Sequence, residues 1–582
     1  MGSCGLAAGA EAVQSAVPHA LTRLGIEAEV RSTGCLGLCH REVLLEIDSP
    51  EVGRCTYGDV TPDRVEPVLA AHLVDRRPLS EHLVRGAGVP SAVLDAQDRV
   101  VLRNCGLVDP SSLEDHLRHG GFAGLERALD MDPAAVADLI YRAGLRGRGG
   151  AGFSTGLKWQ LAAASADPVR TVVCNADEGD PGAFMDRNLM ESDPFSVLEG
   201  MMIAAWATGA QQGFVFVRFE YPLATRRIER AIEAARTAGW LGERVGGRPF
   251  SFDVKVRRGA GAFVCGEETA LIASLEGHRG VPVLKPPYPT TRGYLGHPTV
   301  INNVETLSAV PWILAHGADA FRERGTKESP GTKVFCLAGD VRNGGMVEVE
   351  MGTPVRAVFE ALGGGPPAGR RIKAVQIGGP SGGCLPAHLF DVPIEYDALA
   401  HTGSMMGSGG LVFLDDSRCM VDVARYFVRF MRDESCGKCT ACREGTARMT
   451  EILDRICSGH GRPGDIELLE DLSGHVRGAS ICGLGKTAPN PVETTLRYFR
   501  KEYEAHVFEG RCPTFTCKSL IRYEIDRANC DGCSVCLREC PVDAIHLERS
   551  VIPLTIDPGS CIRCDACRDV CPFDAVSVQS GV

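Results

Sequence analysis

The spacing of apolar residues changes character several times along this 582-residue chain, and each change marks an element. Apolar side chains recur at three- and four-residue intervals through Ala10–Leu24, which predicts a helix, while Ala28–Ser32 and Val43–Ile47 read as extended strands. Residues 76–120 show Pro, Gly and Asp punctuation with little period, and read as a linker wrapping onto the next domain. A helix over Ala134–Ala143 stops at Gly144. Strands at Arg170–Cys174, Gly213–Arg218 and Ser251–Arg257 then alternate with helices at Val197–Thr208 and Leu223–Ala238, the mark of an α/β unit. A buried strand within Gly403–Phe413 leads into the helical period of Val421–Met431. Near the end, Ala544–Leu547 and Ala575–Val578 are matching short strands.

Composition narrows the function classes. The chain is 44% hydrophobic and 23% charged, which suits roughly three to five globular domains. A net charge of -12 provides no basic field, so nucleic acid is excluded as a partner. No run reaches the roughly 18–20 apolar residues of a membrane span. The first residues lack a basic region and carry Glu11, unlike a secretory signal. The 25 cysteines fall largely in short C-x2-C runs, which points to metal ligation in a reducing cytoplasm rather than to disulfides.

Those runs are specific. Cys436, Cys439 and Cys442 lie at i, i+3 and i+6 on one face of a turn, and with Cys482 they form the three-plus-one set of a [4Fe–4S] cube. Structural zinc more often takes two C-x2-C pairs. The runs Cys530-x2-Cys533-x2-Cys536-x3-Cys540-Pro and Cys561-x2-Cys564-x2-Cys567-x3-Cys571-Pro are ferredoxin repeats. In such repeats the fourth cysteine ligates the other cluster, so Cys530, Cys533, Cys536 and Cys571 hold one cube and Cys540, Cys561, Cys564 and Cys567 the second. Three [4Fe–4S] clusters are therefore expected. Cys457, His506, Cys512 and Cys517 offer a tetrahedral zinc site clamping the tail to the bundle, with His460 as a competing ligand; the alternative is four free buried side chains. Cys105, Cys174, Cys265, Cys336, Cys384 and Cys419 stand alone and read as small core residues.

Gly147, Gly149 and Gly152 satisfy G-x-G-x-x-G, but the loop follows a helix, whereas a dinucleotide fingerprint follows a strand. Glycine amides can still approach a phosphate or flat ring closely, and Lys158 adds a cation. Polar stretches at Asn175–Arg187, Gly259–Ala270, Lys285–Pro289 and Val300–Thr306 complete the set.

Together these segments resemble the FMN- and NADH-binding flavoprotein subunit of complex I, and the diaphorase subunits of NAD-linked hydrogenases and formate dehydrogenases, from about residue 115 to 503. The resemblance implies that Gly147, Arg148, Gly149, Gly150 and Lys158 cradle FMN, that Asn175, Asp177 and Glu178 meet its ribityl and ring edge, and that Gly266, Asn302, Asn303 and Thr306 line the other side. NAD(H) would stack on the flavin with its adenine held by Phe153 and Tyr288. Phe263 supplies a further ring, and Asp180, Glu267, Glu268 and Lys285 assist, with Glu178 and Glu268 as the catalytic carboxylates. The acidic groups Asp177, Glu267 and Glu268 would repel the dinucleotide phosphates and limit product retention.

The implied architecture is a multidomain α/β protein. It comprises a truncated thioredoxin-like unit (1–75), a linker (76–120), a Rossmann-like FMN and NAD(H) domain (121–325), a ubiquitin-like β-grasp, SLBB-like domain (326–415), a helical [4Fe–4S] bundle (416–505) and a two-cluster ferredoxin (506–582). Cys4, Cys35 and Cys39 resemble the ligands of a thioredoxin-like [2Fe–2S] domain that has two early cysteines; here the chain reads as starting part-way into it. Cys55 is a candidate substitute, and a degenerate domain without a cluster is the alternative. The implied function is an NAD(P)H diaphorase subunit, its tail resembling that of electron-bifurcating enzymes. Its partners would be a small [2Fe–2S] thioredoxin-like subunit, a hydrogenase or formate dehydrogenase catalytic subunit, and ferredoxin. The rivals are an electron-transfer scaffold with a vestigial flavin site and an FAD-dependent, glutamate-synthase-like reductase.

Overall fold

The computed structural model describes residues 1–547 and 554–581, which divide into two units, Met1–Phe413 and Leu414–Val582. In the first unit the predicted helix forms over Ala10–Leu24 and buries Val13, Val17 and Leu21. It packs beside a small sheet of β1 (Leu45–Ile47), β2 (Cys55–Tyr57) and β3 (Leu83–Arg85), joined in that order. Residues 28–32, read as a strand, form none, and β3 pairs with β2 from within the stretch read as linker. Alternation of polarity marks an extended chain, but ladder hydrogen bonds need a neighbour at the right distance. The Glu348 carboxylate accepts from the backbone N–H groups of Val100, Val101 and Leu102, a tie that local period cannot reveal.

The central layer is a parallel sheet of β4 (Thr171–Ala176), β5 (Gln212–Val217), β6 (Asp253–Arg258) and β7 (Thr299–Asn303), in the order β6-β5-β4-β7. Strands β4, β5 and β7 are rich in Val, Ile and Phe because helices bury both faces of a parallel sheet, while the edge strand β6 carries Lys255, Arg257 and Arg258. The helix Pro194–Thr208 is buried at all but one position, so it is apolar all round. Helix Pro222–Thr237 buries only one stripe, including Ile228 and Ile232.

The β-grasp domain is a five-stranded sheet, order β11-β10-β12-β8-β9, built from β8 (Thr332–Gly339), β9 (Gly345–Glu350), β10 (Ile372–Ile377), β11 (Gly383–Pro386) and β12 (Gly410–Asp415). A buried ion pair between Lys333 on β8 and Glu305 fastens it to the flavin domain. The lysine Nζ also donates to the carbonyls of Val334 and Ser408, so every ammonium proton is used.

In the second unit, helices Met420–Asp433, Thr440–Cys457, Asp465–Ala479 and Asn490–Phe508 enclose a core of Val428, Met449, Leu453, Leu469 and Leu496. The tail pairs β13 (Ile521–Ile525) with β16 (Val576–Ser580), and β14 (Ile545–His546) with β15 (Thr555–Ile556). Each of the two matching segments of the repeat thus lies in an antiparallel strand pair. No helix among the described residues is long and apolar enough to cross a membrane.

Candidate functional site

The flavin crevice lies at the carboxyl ends of β4 and β7, where an open α/β sheet releases its polar loops. The glycine loop runs between helices Pro133–Ala143 and Thr155–Ala163, as its context predicted. Asn302 on β7 accepts from the indole N–H of Trp159 at 2.9 Å, and Thr306 Oγ1 accepts from the Arg148 backbone N–H at 2.8 Å. Asn303 caps the helix Val304–His316 and donates to Asp186. Asn175 donates to the Gly266 carbonyl at 2.9 Å, so the two loops expected on opposite sides of the flavin meet at one edge.

A charge chain closes that edge. Lys158 Nζ donates to Glu268 Oε1 at 2.6 Å and to the Ile301 carbonyl at 2.9 Å. Lys285 Nζ lies 3.0 Å from Glu267 Oε1 and 3.7 Å from Glu268 Oε2. Burial pushes the Glu268 carboxyl up, but the two ammonium groups outweigh it and hold Glu268 below the usual carboxylate range. Glu267 also accepts from the N–H groups of Thr269 and Ala270, capping the helix Glu268–Leu275. Phe153 and Tyr288 are exposed rings, and Phe263 occupies a turn beside them in sequence with Gly266.

Two of these side chains also have structural work. Glu178 is buried and its carboxylate accepts from the Asp186 and Arg187 backbone N–H groups at 2.9 and 3.0 Å, so it anchors the start of helix Met185–Ser192. Arg148 is 2% exposed, and its guanidinium donates to the carbonyls of Thr332, Arg146 and Pro330. Its side chain therefore braces the loop, as its backbone N–H does through Thr306. Residues that sequence reasoning missed include Arg218, 3.8 Å from Asp177 and bonded to the Gly261 carbonyl, and Tyr221, whose hydroxyl donates to the Glu178 carbonyl. Arg218 stands at the end of β5, a position that could have been searched.

Asp180 meets the Ser408 hydroxyl, and burial raises its carboxyl to about 6 against that hydrogen bond. A raised acid favours the folded state while protonated and loses that advantage as pH climbs through 6. Asp180→Asn is therefore expected to melt higher than the parent at pH 7.5, by a margin that narrows as pH falls below 6 and closes only near the ordinary aspartate value of about 4. An equal difference at pH 7.5 and at about pH 4 would refute the assignment.

FMN fits this crevice. A Cβ added at Gly147 or Gly266 would meet nothing closer than 3.5 Å, so the space beside both is open to a ring, and Lys158 and Lys285 supply cations for phosphate. In the second unit, Cys439 and Cys482 precede the short helical starts at Thr440 and Gly483. Burial raises the Cys442 thiol, and Cys482, Cys439 and Cys436 raise it further while Ser435 opposes, so the four face one another. In the tail, one cavity is lined by Cys530, Cys533, Cys536 and Cys571 and another by Cys540, Cys561, Cys564 and Cys567, the crossed sets the repeat predicted. The 25 cysteines are in the thiol form rather than in disulfides.

Of the four residues read as a zinc set, the structure groups three with a different cysteine. Cys419, His506, Cys512 and Cys517 bring ligand atoms within 4.8 Å of one another, and all four are buried. Cys419 replaces Cys457, which remains a core residue at the end of its helix, and His460 is exposed. Cys419 is 87 positions from His506, so no spacing rule joins them.

In the N-terminal domain Cys35 and Cys39 sulfurs lie 3.9 Å apart. Cys4 is drawn down to about 7, by a hydrogen bond from Cys39 and then by the Arg187 guanidinium at 3.6 Å, against burial. Cys55 is instead paired opposite Ile47 within the sheet.

A parallel sheet with a glycine-loop crevice, joined in sequence to thiol sets for iron–sulfur cubes, defines a flavin iron–sulfur oxidoreductase. The comparisons agree: residues 140–312 match the Nuo51 FMN-binding domain, 422–506 the NADH-ubiquinone oxidoreductase-F iron-sulfur binding region, 529–575 a 4Fe-4S dicluster domain and 334–385 the SLBB domain. The chain is 52% identical to NADP-reducing hydrogenase subunit HndC of Solidesulfovibrio fructosivorans, over 77% of this chain and 91% of that one. It is 45% identical to an NADH-quinone oxidoreductase subunit of Rhizobium meliloti, over 71% and 99%. A solved NAD+-reducing [NiFe]-hydrogenase in the H2-reduced state is similar with TM-score 0.64 and 34% identity, covering 87% of this chain and 83% of that one. The chain belongs to the family of the FMN-binding subunits of complex I and their hydrogenase relatives, and it is a diaphorase-type electron-transfer subunit using FMN and iron–sulfur clusters.

Proposed function

We propose that this chain exchanges a hydride between NAD(P)H and FMN in the crevice above β4 and β7. Single electrons would pass through the cluster at Cys436, Cys439, Cys442 and Cys482 to the two tail clusters and a partner. FMN supplies the two-electron to one-electron conversion. The chain's residues orient and restrain. Lys158 holds Glu268 at the mouth of the crevice, and Lys285 holds Glu267 beside it. The open flanks of Gly147 and Gly266 admit the ring, while Phe153 and Tyr288 are placed to cover an adenine. The paired carboxylates face the region where dinucleotide phosphates would lie, so they oppose tight retention of product.

The Lys158–Glu268–Lys285–Glu267 chain carries this reading, because an intact set of four charged groups at a strand end argues against a vestigial flavin site. The partners are a small [2Fe–2S] thioredoxin-like subunit and a hydrogenase or formate dehydrogenase catalytic subunit, with ferredoxin as the acceptor of a second, bifurcating branch. Of the two catalytic partners, the hydrogenase is favoured by similarity to a component of an NADP-reducing hydrogenase. The thiols and their ligand-like sets favour a reducing cytoplasm.

Two further metal sites belong to the proposal. Zinc bonded to thiolates at about 2.3 Å in a tetrahedron separates its sulfurs by roughly 3.8 Å, and Cys419 and Cys517 are 3.8 Å apart. His506 Nδ1 lies 2.7 Å from the Glu502 carbonyl, a bond that leaves Nε2 to face Cys419 and Cys517 at 3.4 and 3.3 Å. Cys4, Cys35 and Cys39 would supply three of the four ligands of a [2Fe–2S] cluster in the N-terminal domain.

Anaerobically purified, flavin-loaded protein should reduce viologen with NADH or NADPH. A flavin-loaded sample with no such activity would overturn the proposal, and FAD rather than FMN in the acid extract would favour the glutamate-synthase-like rival.

A further inference from the structure

We propose that the β-grasp domain is the clamp that sets the conformation of the flavin loop, with Tyr396 as its positioning residue. This inference rests on FMN occupying the crevice, and it assigns a task to a domain that otherwise holds neither nucleotide nor cluster.

A loop with glycines at 147, 149, 150 and 152 has many backbone conformations available, and a cofactor that needs one of them must offset that freedom on binding. Here the freedom is removed from outside. The Tyr396 hydroxyl donates to the Gly147 carbonyl at 2.8 Å. Its ring lies under the Arg146 guanidinium at 4.1 Å, and Arg146 Nε in turn donates to the Gly152 carbonyl at 2.8 Å. One side chain therefore ties both ends of the turn. Gly152 has φ +66, and a Cβ there would come within 2.6 Å of the Tyr396 ring, so the ring occupies the space a side chain would need.

The middle of the loop is held by backbone rather than by side chains. Gly150, at φ +125, packs on Gly407, where an added Cβ would lie 3.3 Å from the Gly407 backbone. Gly407 is itself wedged against Gly378, since a Cβ on it would approach the Gly378 Cα to 2.3 Å. The glycines of the β-grasp domain thus serve close backbone approach as well as turns. Arg148 completes the clamp by reaching the Pro330 and Thr332 carbonyls at the entrance to β8. Asp180, from the loop after β4, joins through Ser408 and fits against Gly379. Two loops that border the flavin are therefore braced on one wall of the β-grasp domain.

The test is Tyr396→Phe in the full chain with its clusters intact. Removing one hydroxyl keeps the ring and the guanidinium stacking, and a single hydrogen bond of this kind corresponds to about a threefold to tenfold change in an equilibrium constant. Titration of deflavinated protein with FMN, followed by flavin fluorescence, should show Kd weakened at least about threefold. The visible circular dichroism of bound FMN should change with it, while melting temperature and iron content stay at the parent values. Tyr396→Ala should weaken FMN further. A smaller change in the FMN Kd of Tyr396→Phe, or unchanged flavin dichroism, overturns the clamp. A parent protein that binds no FMN overturns the flavin reading itself, so the two failures are distinguishable.

Discussion

Cys439→Ser leaves NADH-dependent bleaching of FMN at the parent rate and abolishes electron delivery to the two C-terminal clusters. The expectation follows from where Cys439 stands. It precedes the helix Thr440–Cys457, and Cys436, Cys442 and Cys482 converge on the same space. A cube needs four thiolates, and a serine hydroxyl is a far weaker ligand at neutral pH than the thiol it replaces. Hydride transfer, by contrast, uses the crevice built on β4 and β7, whose residues all belong to the first unit. Rapid-mixing absorbance for the flavin, with electron paramagnetic resonance for the clusters, separates the two steps. Tail clusters that still reduce at the parent rate would remove this cube from the path.

The second large effect concerns the buried site of Cys419, His506, Cys512 and Cys517. The isolated protein should contain one equivalent of zinc, and Cys419→Ala should lose it, whereas Cys457→Ala should keep it. Structural zinc contributes about 10 kcal/mol or more to folding in small zinc peptides. Losing a ligand should therefore lower the melting temperature of the helical unit, and a chelator acting on the unfolded protein should block refolding. Zinc retained in Cys419→Ala and lost in Cys457→Ala would restore the ligand set read from spacing alone. Loss in both would mean that Cys457 supports the site through its packing beside these residues in the core.

The pair Cys419 and Cys457 shows what can be read along a chain and what cannot. His506, Cys512 and Cys517 lie within one short stretch, and their chemistry marks them as ligands. The fourth ligand comes from the residue preceding helix Met420–Asp433, brought in by the packing of that helix against Asn490–Phe508. Cys457 ends a neighbouring helix and looks as suitable, because sequence carries residue type and not direction. Glu178 teaches the same lesson within the flavin motif: its carboxylate turns inward to the N–H groups of Asp186 and Arg187. Arg148 turns inward too, toward carbonyls contributed from nearly two hundred residues away.

By itself the sequence determined the local facts. Helices Ala10–Leu24 and Pro133–Ala143, the strands β4, β5 and β6 of the parallel sheet and the crossed ferredoxin cavities follow from period and spacing. Each depends on residues a few positions apart, or on a repeat that encodes its own pairing. The tertiary structure alone decided which distant groups share a site: Cys419 with Cys517, Asp180 with Ser408, Glu348 with residues 100–102, and Tyr396 with Gly147. Those choices are made by how buried faces pack, a property of the whole fold that local pattern does not carry.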